Sequence, residues 1–402
     1  MVSFTVNHVD LFDGLTFSRD RSVTVANGSI AGIGLAGGPR SDGPEIEGAG
    51  CTILPGLIDS HVHIEGEASL RQSLNFGVTT VIDMFCDQRE ARELRKLTAI
   101  AERDVADFLT AGTLVTAPGG HGTEYGLIIP TISTPEEADT FVDARISEGS
   151  QFIKIVYDDG SAYGRPFPTI DRATMCAVVK AAHRRGKLAV VHALPLKFAV
   201  DALECGADGL VHLFIDAPPT PELERLLTHD RPFVIPTLTV LESACGVRGG
   251  AFLLAESDFG HFLSESAIMN LSGSIRSGKG VQPNYEVPRS TIPLLVKIGI
   301  PVLAGTDAPN PGTTYGASLH RELELLVEAG IQPAEALASA TSVPAASFGL
   351  NDRGRIARGA RADMLMVRGN PTERIKALRD IVAVWKLGKL VPRDSFEQSR
   401  PR

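Results

Sequence analysis

Cysteine is scarce in this chain of 402 residues. The five cysteines, at 51, 86, 176, 205 and 245, are odd in number and form no CxxC. That argues against a disulfide framework and against a cysteine-zinc knuckle, and a reducing compartment is the simplest reading. No apolar run approaches the ~18 residues of a membrane span, so no transmembrane helix is expected. The opening MVSFTVNHVDLFDG lacks the basic and apolar regions of a signal peptide, and a cytoplasmic protein is the expectation. Positive charge is in deficit, with a net charge of −9, which leaves no basic footprint for nucleic acid.

Apolar residues make up 43% and charged residues 22%, close to an ordinary globular protein. That excludes wholesale disorder and fibrous repeats. The length suits one large domain plus a smaller one, with a core that needs no staples. Glycine, at 40 residues, is in excess and suggests many tight turns.

The first ~52 residues read as short strands: FTVNHVDLF, SVTVANGSIAGIG and CTILPG, broken by Asp-Gly, Asn-Gly and Gly-Gly turns. The last ~50 are similar, with ADMLMVRGN and IVAVWKLGKLV. Neither end holds enough apolar residues for its own core, so 1–52 and 353–402 are expected to form one small β-sandwich domain together. Residues 53–352 alternate strands with helices. Strands are predicted at 58–64, 79–85, 107–113, 152–158, 188–194, 209–214, 232–238 and 301–307. Helical spacing appears in QREARELRKLTAIAER, PEEADTFVDARISEG, RATMCAVVKAAHRRG, KFAVDALECG and RSTIPLLVKIG. Eight strands each followed by a helix predict an α/β fold, a (β/α)8 TIM barrel. A doubly wound sheet is the alternative, but no GxGxxG follows the first strand. Residues 243–288 interrupt the rhythm and read as a lid or an interface.

His61 and His63 flank Val62 on the first strand. Alternation puts both imidazoles on one face, about 6–7 Å apart along the strand, as a ready pair of metal ligands or as two satisfied sheet histidines. Lys154 sits mid-strand in FIKIVYD, where a lysine is costly unless paired, modified or snorkelling to an edge. His192, His212 and Asp307 close LAVVHAL, GLVHLF and PVLAGTD. Six candidate ligands from five strands gather where catalytic groups of such barrels lie.

In order along the chain, PGLIDSHVH at 55–63, GTDAP at 305–309, LHRELELLVEAGIQPAEALASAT at 319–341 and GRIARGARADMLMV at 354–367 resemble motifs of the amidohydrolase superfamily, in its imidazolonepropionase-like and prolidase-type branch. The resemblance spans nearly the whole length and implies a distorted barrel with two divalent metal ions, zinc first among them. It implies that His61 and His63 hold the more buried metal and His192 and His212 the more exposed one. Lys154 would bridge them as a carbamate formed from CO2. Asp307 would bind the buried metal and the attacking water. Asp59 shares the face of His61 and His63 and is either a supporting partner or a turn cap.

The loop TAPGGHGTEYG resembles the peptidase-like members, where its histidine meets the substrate. His121 is therefore the candidate for holding the substrate carbonyl, with Tyr125, Tyr157 and Tyr163 near the same rim. Two departures make the mouth more apolar: HALPLKF after the strand-five histidine, and Val211-His212-Leu213-Phe214 in place of an EHG pattern.

The expected activity is hydrolysis of an amide C–N bond in a small molecule, such as an N-acyl amide, aryl amide or dipeptide-like substrate. Alternatives are a mononuclear deaminase, a cyclic amidine or lactone hydrolase, and a non-catalytic scaffold. The first lacks its acid after His192, and the last would have lost ligands. No nucleic-acid or membrane partner is expected, and homo-oligomerisation is left open.

Overall fold

The computed structural model describes residues 3–38, 41–100, 104–248, 250–255, 257–278 and 280–393. Fifteen strands form in these residues. They are β1 (Ser3–Phe12), β2 (Phe17–Ala26), β3 (Ser29–Leu35), β4 (Glu45–Glu47), β5 (Cys51–Pro55), β6 (Leu57–Val62), β7 (Val78–Asp83), β8 (Asp107–Thr110), β9 (Ile153–Val156), β10 (Ala189–His192), β11 (Gly209–Val211), β12 (Phe233–Ile235), β13 (Met364–Arg368), β14 (Ile381–Lys386) and β15 (Lys389–Leu390).

Both chain ends meet in one mixed sheet, ordered β15-β14-β13-β5-β1-β2-β3, with β4 pairing β1. Strand β5 is the seam, antiparallel to β13 and parallel to β1. Its apolar face closes on a separate core containing Phe4, Val6, Val23, Met364 and Trp385, with Phe4 stacked on Trp385 at 5.6 Å. The sheet therefore runs to Pro55, slightly beyond the boundary expected at 52.

The middle of the chain is a parallel α/β framework in two pieces, β6-β7-β8 and β12-β11-β10-β9. Strands β9 to β12 are buried at every position. Strands buried along their whole length suit a sheet covered on both faces. Helices at Glu67–Asn75, Gln88–Thr98, Ala138–Glu148, Arg172–Arg184, Leu196–Glu204 and Pro221–Asp230 follow the successive strands. Their starts are capped as the sequence suggests: Asp87, Asp171 and Thr220 accept from the first-turn amides. Parallel bridges join the pieces to flanking segments, Val115 to Ile155, Val234 to Val302 and Val62 to Ala308.

The strand expected at 301–307 is reduced to such bridges. Gly305 lies against His61, so closely that a Cβ would come within 2.9 Å of the His61 backbone nitrogen. Asp307 then turns into the left-handed region with φ 57, which ends any extended run.

The cysteine expectation is corrected at one point. Cys176 and Cys205 are joined as a disulfide between neighbouring helices, while Cys51, Cys86 and Cys245 are free. Helix-to-helix proximity across 29 residues has no signature in spacing alone. No helix among the described residues is long and apolar enough to cross a membrane.

Residues 249, 256 and 279 of the 243–288 segment lie outside the described residues, as do 394–402 of the expected small domain. The apolar stretch of the segment packs inward. Leu253, Phe259, Leu263 and Leu271 cluster with Phe76 and with Ala317, the first residue of helix Ala317–Glu328.

Candidate metal centre

Strand alternation and the bridge to Ala308 bring three side chains together. His61 Nε2 lies 3.3 Å from His63 Nε2, and Asp307 Oδ1 lies 3.1 Å and 3.0 Å from them. These three form a compact candidate metal site. Lys154, His192 and His212 line the same cavity, whose volume is about 140 Å³. His212 Nε2 lies 4.0 Å from Asp307 Oδ2, and its ring centroid is 5.0 Å from that of His61 and 4.6 Å from that of His192. Both His212 (φ 66) and Asp307 (φ 57) hold left-handed backbone, a strain of order 1–3 kcal/mol each that clusters at functional sites.

The electrostatics fit a cation. Burial holds His61 down to about 3, so its imidazole is neutral with a lone pair to offer. Burial likewise lowers His192 and, more strongly, His212. Burial opposes the charge on Asp307, but His61, His63 and His212 outweigh it and hold the carboxyl well below its ordinary range. For His63 burial opposes the proton, yet the hydrogen bond to Asp307 prevails and lifts it. Burial pulls the Lys154 amine down to about 7, against the pull of Asp307 and Asp83. Two imidazole nitrogens and a carboxylate facing one another at 3.0–3.3 Å could hold a divalent ion.

A ring of partners orients these side chains, and sequence reading missed most of it. Asp158, fully buried, accepts from His192 Nε2 at 3.1 Å and from the amides of Leu194 and Gly160. Alternation along the sequence offered a signal, since Asp158 follows Lys154 and Val156 of β9 at a spacing of two. Thr237 Oγ1 pairs with His212 Nδ1 at 2.6 Å, leaving Nε2 for the site. Asp83 accepts from the Ile64 amide and the Thr110 hydroxyl, and burial raises it to about 6. Asp59 touches no ring. It accepts from the His61 amide and from the amide and hydroxyl of Thr306, which ties β6 to the Asp307 turn.

His121, Tyr125 and Tyr163 line the cavity. His121 Nδ1 bonds Glu124 Oε1 at 2.5 Å, and its ring centroid is 5.2 Å from that of His192. Tyr157 is a correction. It follows Val156, which faces the cavity, so alternation sends it outward, where its hydroxyl donates to Asp201 at 3.0 Å and its ring packs on Phe198. A larger groove of about 670 Å³ lies between Leu15, Val296, Pro301 and Ala346 and holds none of the candidate ligands.

Residues 284–391 match the Amidohydrolase family. An imidazolonepropionase of Salinispora tropica is 26% identical over 375 residues, covering 88% of this chain and 87% of that protein. Ochratoxinase of Aspergillus niger is 22% identical over 391 residues, 84% of this chain and 75% of that protein. The solved structure of a putative prolidase from Bifidobacterium longum superposes with a TM-score of 0.78 at 25% identity, over 97% of this chain and 94% of that one. Likeness over nearly the whole length and a converging His–Asp cluster at one end of a parallel framework support placing this chain among the enzymes of the amidohydrolase superfamily.

Proposed function

We propose that the chain is a metal-dependent hydrolase that cleaves an amide C–N bond of a small molecule. The reading places the chemistry in a distorted (β/α)8 barrel over 53–352, with 1–52 and 353–402 as a small β-sandwich domain. The parallel bridges that carry the framework from β8 to β9, from β12 to Val302 and from Ala308 back to β6 support that ring.

The observation that carries the function is the meeting of His61 Nε2, His63 Nε2 and Asp307 Oδ1. Those three would hold one divalent ion, and His192 and His212 a second, zinc being the first choice for nitrogen and oxygen donors. Such ions would polarise the scissile carbonyl and lower the pKa of the attacking water. The amine of Lys154, neutral in part near pH 7, adds to CO2 and loses a proton, which replaces a buried cation with an anionic carbamate.

Asp307 is held ionised, so it accepts the proton of the attacking water and returns it to the departing amine nitrogen. His121 is steadied by Glu124 through Nδ1, and its Nε2 is the group for the substrate carbonyl as negative charge builds there. Buried imidazoles kept neutral do not compete for that proton.

The test is metal analysis of the purified protein alongside a screen of N-acyl amides, aryl amides, dipeptides and lactones. Bound divalent ions with cleavage of an amide are expected. Metal-free protein with full amide cleavage overturns the reading.

A further inference from the structure

The cavity has a wall that the ligand set does not use. Phe85, Leu114 and Val156 form a buried apolar cluster of their own, apart from the main cores, with Ile129 packed behind it. They come from the ends of three neighbouring segments, and all three line the cavity beside the candidate ligands. Phe85 stands edge-on to His63, with ring centroids 6.5 Å apart.

The loop that carries His121 rests on this wall. Gly122 holds φ 104, and a Cβ there would come within 3.0 Å of both Leu114 methyls. So the backbone next to His121 is held against Leu114, and both side chains line the cavity. A group whose carbonyl meets His121 has the Phe85–Leu114–Val156 wall next to it. The opposite side of the cavity is also apolar, with Leu194, Ile215 and Val240. Its volume of about 140 Å³ compares with the roughly 150 Å³ apolar cavity that accepts benzene.

Charge points the same way. Next to His121 stands Glu124, whose two oxygens are taken by His121 and the Gly122 amide. Among the described residues the cavity lining includes no arginine, and its lysine is Lys154 among the ligands. A carboxylate on the substrate beside His121 would lose its water, meet apolar carbon and face Glu124.

We propose that Phe85, Leu114 and Val156 form the subsite for an uncharged, ring-sized apolar group next to the scissile bond, so that the enzyme takes neutral aryl amides in preference to carboxylate-bearing ones. This rests on the amide-hydrolase reading for its turnover arm, and on binding alone for its other arm.

The experiment uses the metal-loaded full chain. Turnover of 4-methylacetanilide is compared with 4-acetamidobenzoate, the same ring bearing an anion. A kcat/KM at least about a hundredfold higher for the neutral anilide is expected from the cost of desolvating a charge. Leu114→Lys should narrow or invert that ratio at unchanged metal content. Leu114→Ala, the variant less prone to misfolding, should shift preference toward 2-acetamidonaphthalene by about tenfold as the wall recedes. In parallel, binding of 4-fluoroacetanilide is followed by fluorine NMR line broadening, expected with the wild type and lost in Leu114→Lys. Binding without cleavage would retire the amide-hydrolase reading and keep the subsite. Cleavage with an unchanged anilide-to-benzoate ratio in Leu114→Lys and no shift toward 2-acetamidonaphthalene in Leu114→Ala, or a preference for the benzoate in the wild type, overturns the subsite.

Discussion

The Nδ1 atom of His212 lies 2.6 Å from the hydroxyl of Thr237. Thr237 holds a left-handed backbone, φ 49, at the start of helix Leu238–Ala244. The next two amides of that helix are bound by the fully buried Glu322 from helix Ala317–Glu328, at 2.9 and 2.7 Å. So one carboxylate on the outer helix layer fixes a turn that fixes an imidazole. Thr237→Val keeps the shape and removes the bond. We expect affinity for a second divalent ion to fall about 10- to 100-fold while the first is retained. Zinc titration by calorimetry reads this directly, and two undiminished binding steps would contradict it.

Loss of a ligand should remove metal and activity together. His61→Ala leaves Asp307 without its closest buried imidazole, and His192→Ala removes the imidazole that Asp158 orients. Each variant should purify with less metal, measured by plasma emission, and with turnover down by at least about a thousandfold, as for groups that act as a unit. Wild-type turnover at unchanged metal content in either variant would refute the assignment.

Lys154→Ala should lose activity because the carbamate proposed to bridge the two ions is lost with the side chain. Short carboxylic acids such as propionate should restore part of it by occupying the space left by the side chain. An absence of rescue together with a normal metal content in the variant would count against a carbamate.

Asp107 ties the framework to the mixed sheet. Its carboxylate meets Lys386 Nζ at 2.6 Å, Arg361 Nη1 at 2.6 Å and Arg353 Nη1 at 2.5 Å. Burial would raise this acid, but the three cations pull it down to about 2. A depressed carboxylate stabilises the fold above its unfolded value of about 3.9, and that contribution fades as pH falls through about 2. Asp107→Asn leaves three cations facing one another and should cost about 3–5 kcal/mol at neutral pH. Urea unfolding at a series of pH values checks both: the variant's stability should fall less steeply between about pH 4 and 2 than the wild type's.

Phe259 is buried against Phe76 and His320, at ring distances of 4.8 and 5.0 Å. Its segment therefore acts as core on this side of the protein. Phe259→Ala should lower unfolding free energy by about 3–5 kcal/mol and leave KM for small amides unchanged. A large change in KM at full stability would favour a lid instead.

Much of the site was legible in the chain because its signals are local. His61 and His63 are two residues apart on a strand, and the pleat alone puts them on one face. Lys154 between two isoleucines, and histidines at the ends of apolar runs, state their exposure problem in a few residues. The strand and helix rhythm is equally local, since it follows from periodicity and capping at Asp87, Asp171 and Thr220. Tyr157 was misread because its strand stops at Val156 and the next side chain turns outward, a matter of one residue of register.

What the tertiary structure decided is how distant segments satisfy one another. Asp158 reaches across 34 residues to His192, Thr237 across 25 to His212, and Glu322 across 83 and 84 to the helix that follows Thr237. Cys176 and Cys205 likewise meet only because two helices pack side by side. The candidate ligands are set by residue type and the period of two. Their orientation, and the apolar wall beside them, depend on packing between elements far apart in the chain, which no local pattern encodes.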